Sequence, residues 1–212
     1  MTELPKIISV DDHVVEPPHL WQERRPARMR AQGPRVERAR WGDFSLDVGA
    51  SYKQEMTDDG TWGDYWVYED RVIYVHKKFV AIPQEAITGT EDQPIFDRTK
   101  MQMVPSTYDD MIPGCYDRDA RVADFLRNWT DGSLPFPTFP RFCGQTFKEG
   151  NDLELGLACV EAYNNWMIEE WCEPSQGVNI PLCLIPIWDV GLAVAEVQRI
   201  AAKGATPTAP GA

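Results

Sequence analysis

The chain has 212 residues, 33 of them acidic and 21 basic, for a net charge of −12, with 43% hydrophobic residues. This is enough apolar material for one large core or two small ones. The charge excludes a phosphate backbone as partner, because that needs clustered Lys and Arg. Nowhere do about 18 apolar residues run together, and the opening Met-Thr-Glu-Leu-Pro-Lys has no basic stretch leading into an apolar one. The expectation is therefore a cytoplasmic protein that meets neither nucleic acid nor membrane. The five cysteines, Cys115, Cys143, Cys159, Cys172 and Cys183, form no Cys-x-x-Cys and read as buried free thiols.

The first predicted element is a strand over 7–13, Ile-Ile-Ser-Val-Asp-Asp-His, stopped by Glu16-Pro17-Pro18. Side chains alternate faces along a strand, so Asp11 and His13 project to one side at its C-terminal end. A carboxylate and an imidazole on one wall suit a divalent cation such as zinc. The spacing alone is weak, since 33 acids and 3 histidines in 212 residues give roughly half an acid-x-His by chance. On spacing, a polar strand end in which Asp11 or Asp12 caps the next turn competes with the metal reading.

Residues 19–40 hold seven arginines, broken by Pro26 and Pro34, and read as a loop with a helical turn or two. They are either a solvated face or an anion-attracting rim. Within the aromatic stretch 41–82, Tyr65–Tyr68, Glu69-Asp70 and Arg71–Val75 read as an antiparallel β-hairpin. His76 reads as a surface residue and His19, beside Leu20 and Trp21, as packing or rim, neither as a ligand. Residues 83–116, with Pro83, Pro94, Pro105 and Pro113, look irregular.

From residue 117 the texture changes. Asp117 caps a helix to about Trp129, with Ala120, Ala123, Phe125 and Leu126 as its apolar side. Leu134–Phe139 is a short apolar strand despite Pro135 and Pro137. Asn151 or Asp152 caps a helix whose Leu153, Leu157, Val160, Tyr163, Met167 and Trp171 make a core stripe. Pro181–Trp188 reads as a continuous apolar strand, and Asp189 caps a last helix with Ala193, Val197 and Ile200 inward. Nearly apolar strands alternating with helices indicate parallel pairing, with chemistry at the C-terminal strand ends.

Taken together, Val10-Asp11-Asp12-His13-Val14-Val15-Glu16-Pro17, the segment Phe136–Phe147, and Ala162–Trp166 leading to Leu184–Asp189 resemble the amidohydrolase superfamily. The resemblance covers roughly residues 5–203 and is nearest the branch of aminocarboxymuconate-semialdehyde decarboxylase and γ-resorcylate decarboxylase. It implies an α/β fold, here a partial (β/α)8 TIM-barrel with its N-terminal strands only and an antiparallel hairpin inserted at about 41–82. It also implies Asp11 and His13 as metal ligands, for zinc or manganese. Arg141, Phe139 and Trp188 are candidates to contact substrate, with an ion pair for Arg141 and core packing for the two aromatics as the alternatives. Glu16 is expected to brace the loop after the first strand. The implied activity is decarboxylation or hydrolysis of a small aromatic or unsaturated carboxylate. The family's later histidine and its proton-transferring aspartate do not occur in this chain, so a C-terminally truncated, inactive chain with a disordered tail at 204–212 is expected. A non-catalytic binding or homo-oligomerisation module, or a non-functional truncated gene product, is the alternative.

Overall fold

The computed structural model describes residues 5–24, 30–46, 52–90 and 93–204. Arg25, Pro26 and Arg28 of the arginine-rich segment, and the predicted tail beyond Gly204, lie outside the described residues.

The opening strand forms as β1 (Ile7–Val14) and pairs in parallel with β9 (Thr130–Pro137), from Ile7 opposite Thr130 to Val14 opposite Pro137. Between Ser9 and Asp12 the register slips, leaving an extra residue on β1. On the other edge of β9, Ser133 N–H donates to Val178 O at 2.8 Å and Ile180 N–H donates to Ser133 O at 2.8 Å. Two strands and a single parallel bridge at Asn179 thus lie side by side, and the polypeptide crosses between β9 and that bridge through helices.

The expected strand Pro181–Trp188 is not one. Pro181 and Pro186 have no N–H to give a ladder, and at Leu184 a side chain takes the place of a neighbouring strand. Leu184 N–H donates to Asn164 Oδ1 at 2.7 Å, and Asn164 Nδ2 donates to Leu184 O at 2.8 Å. The apolar run was real, but its backbone is satisfied from a helix.

The hairpin forms as β5 (Thr61–Tyr68) and β6 (Arg71–Val75), with Glu69 and Asp70 both at positive φ, 48° and 59°, as a two-residue turn between twisted strands requires. A third strand, β2 (Arg35–Trp41), pairs antiparallel with β5 and comes from the segment expected to be loop. Its arginines disguise the alternation, and the folded sheet gives them partners. Arg38 donates to Asp64 at 2.6 and 3.0 Å, and the Arg40 guanidinium lies 4.9 Å from the centre of the Trp62 ring. Small hairpins β3–β4 (Ser45–Leu46, Tyr52–Lys53) and β7–β8 (Ile87–Gly89, Pro94–Phe96) complete this region.

The helices are α1 (Leu20–Glu23), α2 (Arg118–Arg127), α3 (Gln145–Lys148), α4 (Leu153–Trp166) and α5 (Val190–Ala202). Asp117, Asp152 and Asp189 cap α2, α4 and α5 through the N–H groups of Ala120, Leu155 and Leu192. Past Trp166 the coil widens into a π-turn, Met167–Cys172, that keeps Met167 and Trp171 in the core. That core joins Trp21 of α1, Trp66 of β5, Phe139 and Phe147 to Leu155, Val160 and Tyr163 of α4.

Two predicted faces do not pack as expected. None of α2 is buried, and Leu126 is exposed. On α5 the predicted inward Val197 is 48% exposed, and the one buried residue is Glu196. Glu196 accepts from Asn164 Nδ2 at 2.6 Å and from Arg199 at 2.6 and 2.7 Å, so α5 docks on α4 through a charged latch in place of an apolar stripe.

Candidate functional site

In a parallel α/β unit the strand ends point their loops the same way, and here the C-terminal ends of β1 and β9 meet at Val14 and Pro137. Asp11 and His13 are exposed there and Asp12 between them is half-buried. Asp12 accepts the hydroxyl hydrogen of Ser133 on β9 and has Arg121 Nη1 3.9 Å away. Arg121, a residue that the sequence reading missed, also donates from Nη2 to His13 O at 2.9 Å and from Nε to Gly114 O. Asp12 and Arg121 therefore fix the strand end, leaving Asp11 and His13 turned to solvent. The His13 ring lies 6.0 Å from Phe136, which stacks on Phe142 at 5.6 Å and 19°.

Glu16 lies beneath this end, with no exposed surface. Oε1 accepts from Thr138 N–H at 2.9 Å and Oε2 from Phe139 N–H at 3.0 Å, while Thr138 Oγ1 donates to Val14 O at 2.8 Å. Glu16 thus ties the loop after β1 to the loop after β9. Burial pushes its carboxyl up to about 7, against the opposing pull of those N–H groups. Tyr108 donates its hydroxyl to Glu16 O.

His76, read from sequence as a surface residue beside Lys77 and Lys78, is instead 1% exposed. β6 carries it inward, where its ring meets Tyr74 at 5.3 Å and Tyr108 at 5.0 Å. Burial lowers its imidazole to about 4, and among the described residues Nε2 has no hydrogen-bond partner. A neutral, buried histidine is invisible to a reading that weighs only its charged neighbours in sequence.

The remaining predicted residues separate. Phe139 is fully buried, 5.1 Å from Trp21 and 4.9 Å from Trp66 by ring centres. Trp188 is half-buried against α4, where a Cβ at Gly156 would stand 3.6 Å from the indole. Arg141 is exposed on the loop after β9 and donates to Glu149 Oε2 at 2.7 Å. Its backbone has φ 60° and ψ −172°, and Cys143 has φ 56°, both in territory where L-residues other than glycine are strained.

The chemistry of the donors suits a divalent ion, a hard carboxylate beside an imidazole. Their number does not suffice: among the described residues no group of three or more His, Cys, Asp or Glu converges.

No family model matches the chain, and no curated protein does. Among solved structures it is similar to an amidohydrolase from Mycobacterium avium subsp. paratuberculosis K-10, with 21% identity and a TM-score of 0.58. That likeness covers 96% of this chain and 48% of the other, so this chain spans about half its length. Among the described residues no helix is long and apolar enough to cross a membrane. The parallel β1–β9 pair, the antiparallel sheets and this likeness together give a mixed, amidohydrolase-like α/β fold.

Proposed function

We propose that residues 1–203 are the N-terminal part of a (β/α)8 barrel of amidohydrolase type, with the antiparallel sheet as its insertion. Asp11 and His13 supply part of the coordination of one zinc or manganese ion, and the remaining donors come from outside the described residues. The substrate is a small aromatic or unsaturated carboxylate, and the reaction is decarboxylation, as in the resorcylate decarboxylase branch, or hydrolysis. Arg141 receives the substrate carboxylate, and Glu16 holds the two loops in place. What supports this reading is the exposure of Asp11 and His13 at the C-terminal end of a parallel strand, with Asp12 turned to Ser133.

Two donors hold a divalent ion weakly, so the described residues by themselves sustain no turnover. Calorimetric titration with zinc or manganese should show weak binding that His13→Ala removes. Stoichiometric retained metal, with turnover that His13→Ala abolishes, would overturn the inactivity.

One observation favours a second reading, a homo-oligomerisation module: Ile7, Ile8 and Val10 on β1 and Val190, Val194 and Val197 on α5 are all exposed. Light scattering of the metal-free chain separates the two, since a defined oligomer without metal supports the module.

A further inference from the structure

The strained residue Arg141 lines a cleft of about 240 Å³ between β6 and the loop after β9, together with Arg71, Val72, Ile73, Thr146 and Glu149. Two arginines line this one small cleft in a chain of net charge −12. Backbone strain at a non-glycine residue persists only where surrounding structure enforces it, and it gathers at ligand clamps.

Their present partners leave both arginines capacity to bind. Arg71 Nη2 lies 3.3 Å from Glu69 Oε2, but that carboxylate already accepts from the N–H groups of Asn151 and Asp152 at 2.8–3.0 Å and from Asn151 Nδ2 at 3.1 Å. Glu69 is therefore held by the turn before α4, and Arg71 is a minor part of its shell. Arg141 uses Nη1 on Glu149, with both side chains about half exposed at 48% and 56%. An exposed pair of this kind contributes about 0–1 kcal/mol, so another carboxylate can displace Glu149 at little cost. Val72, 47% exposed, and Ile73 beside it present an aliphatic wall.

We propose that Arg71 and Arg141 form a two-arginine clamp for a monocarboxylate with an apolar body, with Glu149 as the internal carboxylate it displaces. The clamp rests on the reading that the chain handles a small carboxylate, but it needs no metal. The planar fork of each guanidinium suits a carboxylate's two oxygens, and the Val72–Ile73 wall covers the body.

The test is a titration of the chain, freed of metal on a chelating resin, with sodium benzoate, followed through the Nε–H signals of the arginines, with sodium chloride as the control for ionic strength. Saturable shifts at Arg71 and Arg141 are expected. Arg71→Gln or Arg141→Gln should weaken binding at least about tenfold. Glu149→Gln removes the competitor and should tighten binding about two- to fivefold, a gain that a structural role for the pair would not produce. Shifts that do not saturate, or an affinity unchanged in Glu149→Gln, would overturn the clamp. Inorganic phosphate binding as tightly as benzoate would overturn its preference for an apolar carboxylate. Prior removal of metal keeps it out of the measurement, so loss of zinc binding in His13→Ala bears on Asp11 and His13 alone.

Discussion

The space between α4 and the antiparallel sheet is filled by Trp21, Trp66, Phe139, Phe147, Tyr163 and Trp166, all within 2% of complete burial. β1 and α5 also carry apolar side chains, yet Val10 is 64% and Val190 is 82% exposed. Both regions have the patterning of packed secondary structure, and only one is packed. The difference teaches that apolar periodicity reports a surface that can be covered, whereas coverage depends on what else reaches it. On α5 the contact that does form is polar, through Glu196, Asn164 and Arg199.

This contrast breaks most visibly under truncation. Phe139→Ala removes a ring wedged against Trp21 and Trp66 and should cost about 3–5 kcal/mol in urea unfolding. Val10→Ala or Val197→Ala should cost under about 0.5 kcal/mol in the same experiment. Equal losses at the two places would mean that Val10 and Val197 are packed in solution.

Next in size is a pair of opposed pH effects inside the packed region. Glu16 has a folded value near 7, raised by burial, so the stability tied to its neutral form is full below the ordinary carboxyl range and lost as pH rises through 7. His76 has a folded value near 4, lowered by burial, so its contribution runs the other way, absent at low pH and gained as pH rises from about 4 to 6.5. Each swing is about 3 kcal/mol, and together they nearly cancel between pH 4.5 and 6.5. Glu16→Gln should therefore unmask stability that rises with pH over this window, and His76→Phe stability that falls. The checking measurement is chemical unfolding at a series of pH values, and parallel profiles in the two variants would refute the assignment.

The smallest effect concerns the loop after β9. Arg141→Gly relieves backbone strain and loses a weak surface pair, for a net gain of about 0.5–1 kcal/mol in thermal unfolding. The same variant should lose benzoate binding.

Much of this was legible in the sequence where one local rule decides the outcome. The caps at Asp117 and Asp189, the cap at Asn151 or Asp152 that the structure gives to Asp152, the hairpin at Glu69-Asp70 and the parallel strand carrying Asp11 and His13 each follow from nearby residues. The strand at Arg35–Trp41 was hidden because its arginines find Asp64 and Trp62 only after folding. Pro181–Trp188 misled because an apolar run does not reveal that Asn164 will take its backbone groups. Burial of His76 against Tyr108 and the bridging of Glu16 to Thr138 and Phe139 depend on residues far away in sequence, beyond any spacing rule. Arg141 was legible as a charge, but its strain and its neighbour Arg71 were not.

The central claim, that Asp11 and His13 form part of a metal site at the C-terminal end of β1, is tested most directly by manganese titration followed through amide signals. Paramagnetic broadening should appear first at residues 11–13 and the facing Phe136, and His13→Ala should abolish it. Broadening centred on the acidic surface elsewhere, and unchanged in His13→Ala, would contradict the account.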